Sequence, residues 1–180
     1  NVAAHSPEFG WRCRDIKIKD SSVESEYAFF EGRSIRADGL RLAGKYTFQY
    51  TKNVRISRSV LNTKDAFWHA KNVTVVDSEI DGEYLGWYSE GLTLIRCHIK
   101  GTQPLCYCKN LKLIDCTTEN CDLAFEYSGV QADIRGGIDS IKNPRRGVIR
   151  ADSVGEIIRT SDSVFPSRAR IYAGRRTDKK

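Results

Sequence analysis

KNVRIS at residues 52–57 is followed 19 residues later by KNVTVV at 71–76, then by EGLTLI at 90–95 and KNLKLI at 109–114. In each hexapeptide two aliphatic side chains fall two residues apart: Val54/Ile56, Val73/Val75, Leu92/Leu94 and Leu111/Leu113. That spacing turns both toward one face of a strand. Asn53, Asn72, Gly91 or Asn110 stands just before each pair. Asn and Gly tolerate the left-handed backbone of a sharp bend. A bend and a strand recurring at one fixed period mark a solenoid.

Worked outward, the period holds from Pro7, with coils starting at Pro7, Glu26, Lys45, Lys64, Glu83, Thr102 and Cys121. The first coil adds Ile16/Ile18 to the aliphatic columns, and a third column reads Val23, Leu42, Leu61, Ile80 and Ile99. A second bend column reads Ser25, Gly44, Thr63, Gly82, Gly101 and Asn120. The expected fold is therefore all-β: a single-stranded right-handed parallel β-helix (β-solenoid) of 19-residue coils with three short strands per coil. Stacked at about 4.8 Å, the seven coils span roughly 34 Å. A helical repeat fails on the two-residue apolar spacing, and the six-residue period of left-handed hexapeptide helices is absent. Right-handed winding follows from the handedness of parallel crossovers.

The 180 residues suit one domain. Residues 1–140 are expected to be the stacked coils, and 141–180 irregular C-terminal coils or a cap with a basic tail. Beyond Asp139 the register fails at Pro144 and Arg145-Arg146-Gly147. Ile141, Val148, Ile149, Val154, Ile157 and Ile158 are expected to cover the open end, since a last coil exposes an unpaired edge. Loss of residues 141–158 should then cause aggregation. The net charge of +6 is uneven: residues 1–140 hold 18 Lys+Arg against 19 Asp+Glu, and 141–180 hold 11 against 4. The basic end, finishing in Arg175, Arg176, Lys179 and Lys180, reads as a solvated tail more readily than as a nucleic-acid arm. No aromatic interleaving supports the latter. No run approaches the roughly 18 apolar residues of a membrane span. The chain starts at Asn1 and has no Met, so its natural start and earlier coils are expected to be missing. Nothing in the cysteine usage demands an oxidising compartment, which points to the cytoplasm.

The strings SPEFGW, GKYTFQY, TKDAFWHAKNVTV, GEYLGWYSEGLTLI, GTQPLCYCKNLKLIDC, DLAFEYSGV and SIKNP resemble an uncharacterised bacterial family of unknown function. The likeness covers nearly all of residues 6–158. It implies a single-stranded right-handed parallel β-helix of pectin-lyase-like architecture, with further coils before SPEFGW that this chain lacks. It implies no activity and no catalytic residue, and fold analogy supplies neither.

Function is sought on the first strand of each coil, at coil positions 2 to 7. Alternation points positions 3, 5 and 7 inward, because the reverse would bury Glu8, Arg12, Glu31, Asp65, His69 and Glu126. Positions 2, 4 and 6 then face out. Column 2 includes Tyr27, Tyr46, Asp65, Tyr84, Gln103 and Asp122; column 4 includes Phe29, Phe48 and Phe67; column 6 includes Tyr50, His69, Tyr88, Tyr107 and Glu126. So large an aromatic surface has three readings. It is a groove for a polysaccharide or oligosaccharide, with ring faces stacking on sugars; or a protein or homo-oligomer interface; or stacked side chains under a loop or absent coils. Tyr50, Asp65, His69, Tyr84 and Tyr88 are expected to form one open patch. Tyr46, Tyr107, Gln103 and Glu126 join Asp65 and Tyr84 as candidate ligand contacts.

A glycosidase needs two carboxyls roughly 5–9.5 Å apart. Asp65 and Asp122 lie three coils apart, about 14 Å at strand spacing, and only Glu83 is near Asp65. A lyase or epimerase would use His69 with Tyr50 or Tyr88 as acid and base, so these three are the catalytic candidates. Cys106, Cys108, Cys116 and Cys121 suggest zinc, but the register scatters them. A ladder of small buried side chains, with Cys97 above Cys116 and a disulfide between them still open, is the simpler account. No metal and no cofactor is expected, and no nucleotide or nucleophile motif is present.

Overall fold

The computed structural model describes residues 1–174; Arg175, Arg176, Lys179 and Lys180 of the basic tail lie outside the described residues. The strands are β1 (Ala3–His5), β2 (Lys17–Ser25), β3 (Arg33–Gly44), β4 (Lys52–Ser57), β5 (Val60–Thr63), β6 (Lys71–Val76) and β7 (Glu79–Asp81). There follow β8 (Glu90–Ile95), β9 (His98–Lys100), β10 (Leu111–Glu119), β11 (Gly129–Lys142), β12 (Arg146–Ile158) and β13 (Arg170–Ala173). All pair in parallel within one sheet system, and the chain forms a β-solenoid of about nine turns. Among the described residues no helix is long and apolar enough to cross a membrane.

The register is the repeat. Ile18 pairs with Ala37, Val54 with Val73, Val73 with Leu92, and Leu94 with Leu113, each 19 residues on. Val54, Ile56, Val73, Val75, Leu92, Leu94, Leu111 and Leu113 are all buried, as are Val23, Leu42, Leu61, Ile80 and Ile99. Each aliphatic column is thus continuous from coil to coil, and its packing is between like side chains at one strand spacing.

Each coil has two strand sides, either joined (β2, β3) or broken at a bend (β4 and β5). The expected first strand is instead a run of turns. Its backbone is left-handed at coil position 4 (Phe29, Phe48, Phe67, Leu105) and at position 6 (Glu31, Tyr50, His69, Tyr88, Tyr107), with φ between 54° and 64°. Left-handed residues redirect the Cα–Cβ bond, so the alternation of an extended strand does not carry through. Positions 3 and 4 therefore both face the core: Ala28 and Phe29, Thr47 and Phe48, Ala66 and Phe67 are buried. Column 4 was expected outward, and this is the main correction. Phe29, Phe48 and Phe67 form a buried stack, with centroids 4.8 and 5.3 Å apart. The turns still satisfy their amides between coils: Phe48 N–H donates to Ala28 O (2.8 Å) behind it, and Tyr50 N–H donates to Trp68 O (2.8 Å) ahead.

Past β10 the coil length changes. Val130 pairs with Gly147 at 17 residues, Ile141 with Ile157 at 16, and Ile149 with Ile171 at 22. Ile141, Val148 and Ile149 are buried beneath these last turns. Ile157 is 47% exposed and does not cover the end as expected.

At one bend the coils alternate in charge. Arg58 forks onto Asp38, Arg96 donates through Nε and Nη2 to Asp77 (2.6 and 2.9 Å), and Arg135 Nε meets Asp115 at 2.8 Å. The Arg96 guanidinium holds the Asp77 carboxyl below the usual carboxylate range. Arg58, Asp77, Arg96 and Asp115 all occupy the left-handed corner of their coils.

Candidate functional site

Column 6 is the most exposed aromatic feature. Tyr50, His69, Tyr88 and Tyr107 stack in order, with centroids 4.9, 5.0 and 4.6 Å apart and planes within 10°. Their backbone amides lock onto the next coil: His69 N–H to Trp87 O (2.9 Å), Tyr88 N–H to Cys106 O (3.2 Å), Tyr107 N–H to Glu126 O (2.7 Å). Phe30 adjoins Tyr50 at one end, and Tyr127 and Phe165 extend the row at the other. Tyr50 and Tyr88 are each 46% exposed. A left-handed backbone costs a bulky residue about 1–2 kcal/mol. Here burial does not offset it, so stacking and the inter-coil amide bonds must.

Parallel stacking has a chemical consequence. Both faces of His69 and of Tyr88 are covered by neighbouring rings, so the ridge presents ring edges. Ring faces stacking on sugars, as the sequence suggested, are not available in the middle of the ridge. What is available is one polar ring edge per coil. Tyr107 sits lowest, and burial with the nearby Glu126 charge pushes its hydroxyl up to about 12.

The other candidates are less open. Asp65 is only 6% exposed, so it does not share one patch with Tyr50, His69 and Tyr88. Burial raises its carboxyl above the ordinary value, against the pull of Lys64. Tyr84 is half-buried beneath Lys64, whose ammonium lies 5.2 Å from the ring centre. Tyr84 reaches the ridge through Trp87, which meets it edge-on at 5.3 Å and Tyr107 at 5.2 Å. Tyr46 stacks on Tyr27 at 5.0 Å. Gln103 is half-buried, and its carbonyl accepts the Trp87 indole N–H at 2.7 Å. Glu126 is held by Lys142 at 3.1 Å, with its side chain 13% exposed.

All six cysteines are free, and all but Cys13 are buried. Burial pushes the Cys108 thiol up to about 11 and Cys121 up to about 12. Cys97 is raised by its contact with Cys116 and by burial. Among the described residues, no three His, Cys, Asp or Glu side chains converge as metal ligands would. Two charged features escaped the sequence reading. One is a cluster where His98 meets Thr117 Oγ1 (2.9 Å) and Glu119 (3.3 Å), beside Lys100. The other is a basic trough along β2, β3 and β4, visible in sequence only as Lys and Arg at matched coil positions.

A family model described as "Protein of unknown function (DUF3737)" matches residues 1–172. The chain belongs to that family. No curated protein and no solved structure matches it. The matched span contains the ridge from Tyr50 to Tyr107, its Tyr127 and Phe165 extension, and the last turns of the DUF3737 solenoid.

Proposed function

We propose that this solenoid binds an extended polysaccharide along the Tyr50–His69–Tyr88–Tyr107 ridge. The observation that carries the reading is the one-per-coil repeat of exposed ring edges at 4.6–5.0 Å. A polymer whose monomer advances by about that step meets an equivalent group at every residue. Tyr hydroxyls and an imidazole both donate and accept hydrogen bonds, which suits sugar hydroxyls. The pectin-lyase-like architecture implied by the motifs agrees with this reading as fold analogy only. If chemistry accompanies binding, His69 would act with Tyr50 or Tyr88 as base and acid in a lyase or epimerase step. A glycan array followed by calorimetry tests the reading. His69→Ala and Tyr88→Ala should each weaken the best ligand with the circular dichroism unchanged. Unaltered affinity in both variants, or no glycan bound at all, overturns it.

A second reading has its own support. The row continues through Tyr127 to Phe165, which is 38% exposed, and the same end carries exposed Val164. Aromatic rows of this kind suit a second copy of the chain. Light scattering then gives a dimer, and Tyr88→Ala shifts its equilibrium without touching any glycan.

A further inference from the structure

The first three coils carry a second linear feature on another face. Lys17, Arg36 and Arg55 are Cα partners across β2, β3 and β4. Around the adjacent bend, Arg14, Arg33 and Lys52 are aligned in the same way. Like charges directly opposite on neighbouring strands repel. Among the described residues none of these six cations has a carboxylate within ion-pair distance. Other cations of the solenoid face a carboxylate on a neighbouring coil, as Arg96 with Asp77, Lys64 with Glu83 and Lys71 with Glu90, although among the described residues single cations such as Arg41 and Lys109 do not. An unrelieved like-charge patch beside well-paired ladders is a place where folding has left an anion to be supplied.

The patch has a shape. An open trough of about 530 Å³ runs across the three coils. One wall is Lys17, Arg36 and Arg55; the other is Asp15, Ser34 and Asn53, at left-handed corners with φ of 55–57°. Ile16, Ile35 and Val54 form its floor. Each coil therefore offers one cation and one short polar side chain, repeated at about 4.8 Å.

We infer that this trough binds an acidic polysaccharide, with one carboxylate or sulfate per coil against the cation wall and hydroxyls against Ser34 and Asn53. The inference rests on the polysaccharide reading above for its ligand class alone: the trough is a site apart from the ridge and takes an acidic chain where the ridge takes a neutral one. Arg forks take carboxylate and sulfate oxygens in pairs. A linear pyranose chain advances by about one strand spacing per sugar. An extended acidic peptide repeats its same-side groups at about 6.6 Å and falls out of step. Single-stranded nucleic acid needs aromatic platforms for its bases, and the trough has none. Asp15, the one carboxylate in the trough, opposes an anion at the first coil and places the best subsites at Arg36 and Arg55.

The test compares a carboxylated oligosaccharide, a neutral one of equal length, a poly-glutamate peptide and a single-stranded oligonucleotide, by calorimetry at low and high salt. The acidic glycan should bind most tightly and weaken with salt. Arg36→Glu with Arg55→Glu should cost it at least about tenfold, some 1.4 kcal/mol, and leave neutral-glycan binding unchanged. A milder pair, Arg36→Gln with Arg55→Gln, should raise the thermal midpoint at low salt, because it removes repulsion. Acidic-glycan affinity unchanged in the charge-reversed protein, a lower midpoint in the neutralised one, or tighter binding of peptide or oligonucleotide each overturns the inference. His69→Ala separates the two sites. If it abolishes neutral binding while acidic binding persists, both sites stand. If acidic binding survives and neither His69→Ala nor Tyr88→Ala changes neutral binding, the ridge reading fails alone.

Discussion

Replacing Phe48 by Ala separates the observed turn geometry from the alternation expected of a strand. Phe48 is fully buried, and its ring lies between Phe29 at 4.8 Å and Phe67 at 5.3 Å with planes within 20°. Truncating a buried Phe to Ala costs about 3–5 kcal/mol. Two ring contacts are lost as well, each of about 0.5–1.5 kcal/mol, which puts Phe48→Ala near the top of that range. Tyr50 is the matched control. It has nearly the same backbone, φ of 57° against 55°, so the cost of Ala in a left-handed position cancels between the variants. It is 46% exposed, and Tyr50→Ala loses mainly its ring contacts to Phe30 and His69, together about 2 kcal/mol. Urea unfolding should show the two variants about 3 kcal/mol apart. A difference under about 1 kcal/mol, or the opposite order, would refute the inward placement of column 4.

Asp65→Asn should stabilise the protein at neutral pH and have no effect in acid. Its folded carboxyl is raised by burial, so the penalty is absent below the ordinary value and grows as pH climbs through the folded one. Asp38, Asp77 and Glu119 are lowered by Ser57, Arg96 and His98 respectively as the leading partners. They contribute stability above their ordinary values that is lost as pH falls through the folded ones, and Asp77→Asn should flatten that acid limb of a thermal melt. Thiol alkylation of the native protein near neutral pH should be confined to Cys13, slowly, with all six modified after denaturation; rapid labelling of Cys106 or Cys108 would contradict their burial. At the exposed left-handed corner of Asn110, Asn110→Ala should cost about 1 kcal/mol while Asn110→Gly stays within about 0.5, measured by chemical denaturation.

The aliphatic columns were legible because both strand sides obey a two-residue alternation, and Val54, Val73 and Leu92 fall where that rule puts them. The asparagine corner was legible for the same reason: Asn53, Asn72 and Asn110 are residues that the left-handed backbone selects. The aromatic side was not. Phe48 and Phe67 carry no local signal of a left-handed backbone, so nothing in the sequence marks where the alternation stops. Asp65 followed Tyr46 and Tyr84 into an outward column and is buried. Within column 6 the stacking of His69 between Tyr50 and Tyr88 was readable from the period alone, but the orientation that covers the ring faces was not. The alternating charges at Arg58, Asp77, Arg96 and Asp115 stand in plain view at 19-residue intervals. Each looks like an ordinary surface residue until its neighbour in the next coil is known.

That alternating corner also bears on how such a chain lengthens. Tandem duplication of a single coil would set arginine against arginine, or aspartate against aspartate, at the join. Duplication of two coils would preserve every Asp38–Arg58, Asp77–Arg96 type of pairing. The smallest heritable unit that copies without electrostatic conflict is thus twice the structural repeat, and descendants of this array should differ in length by even numbers of coils.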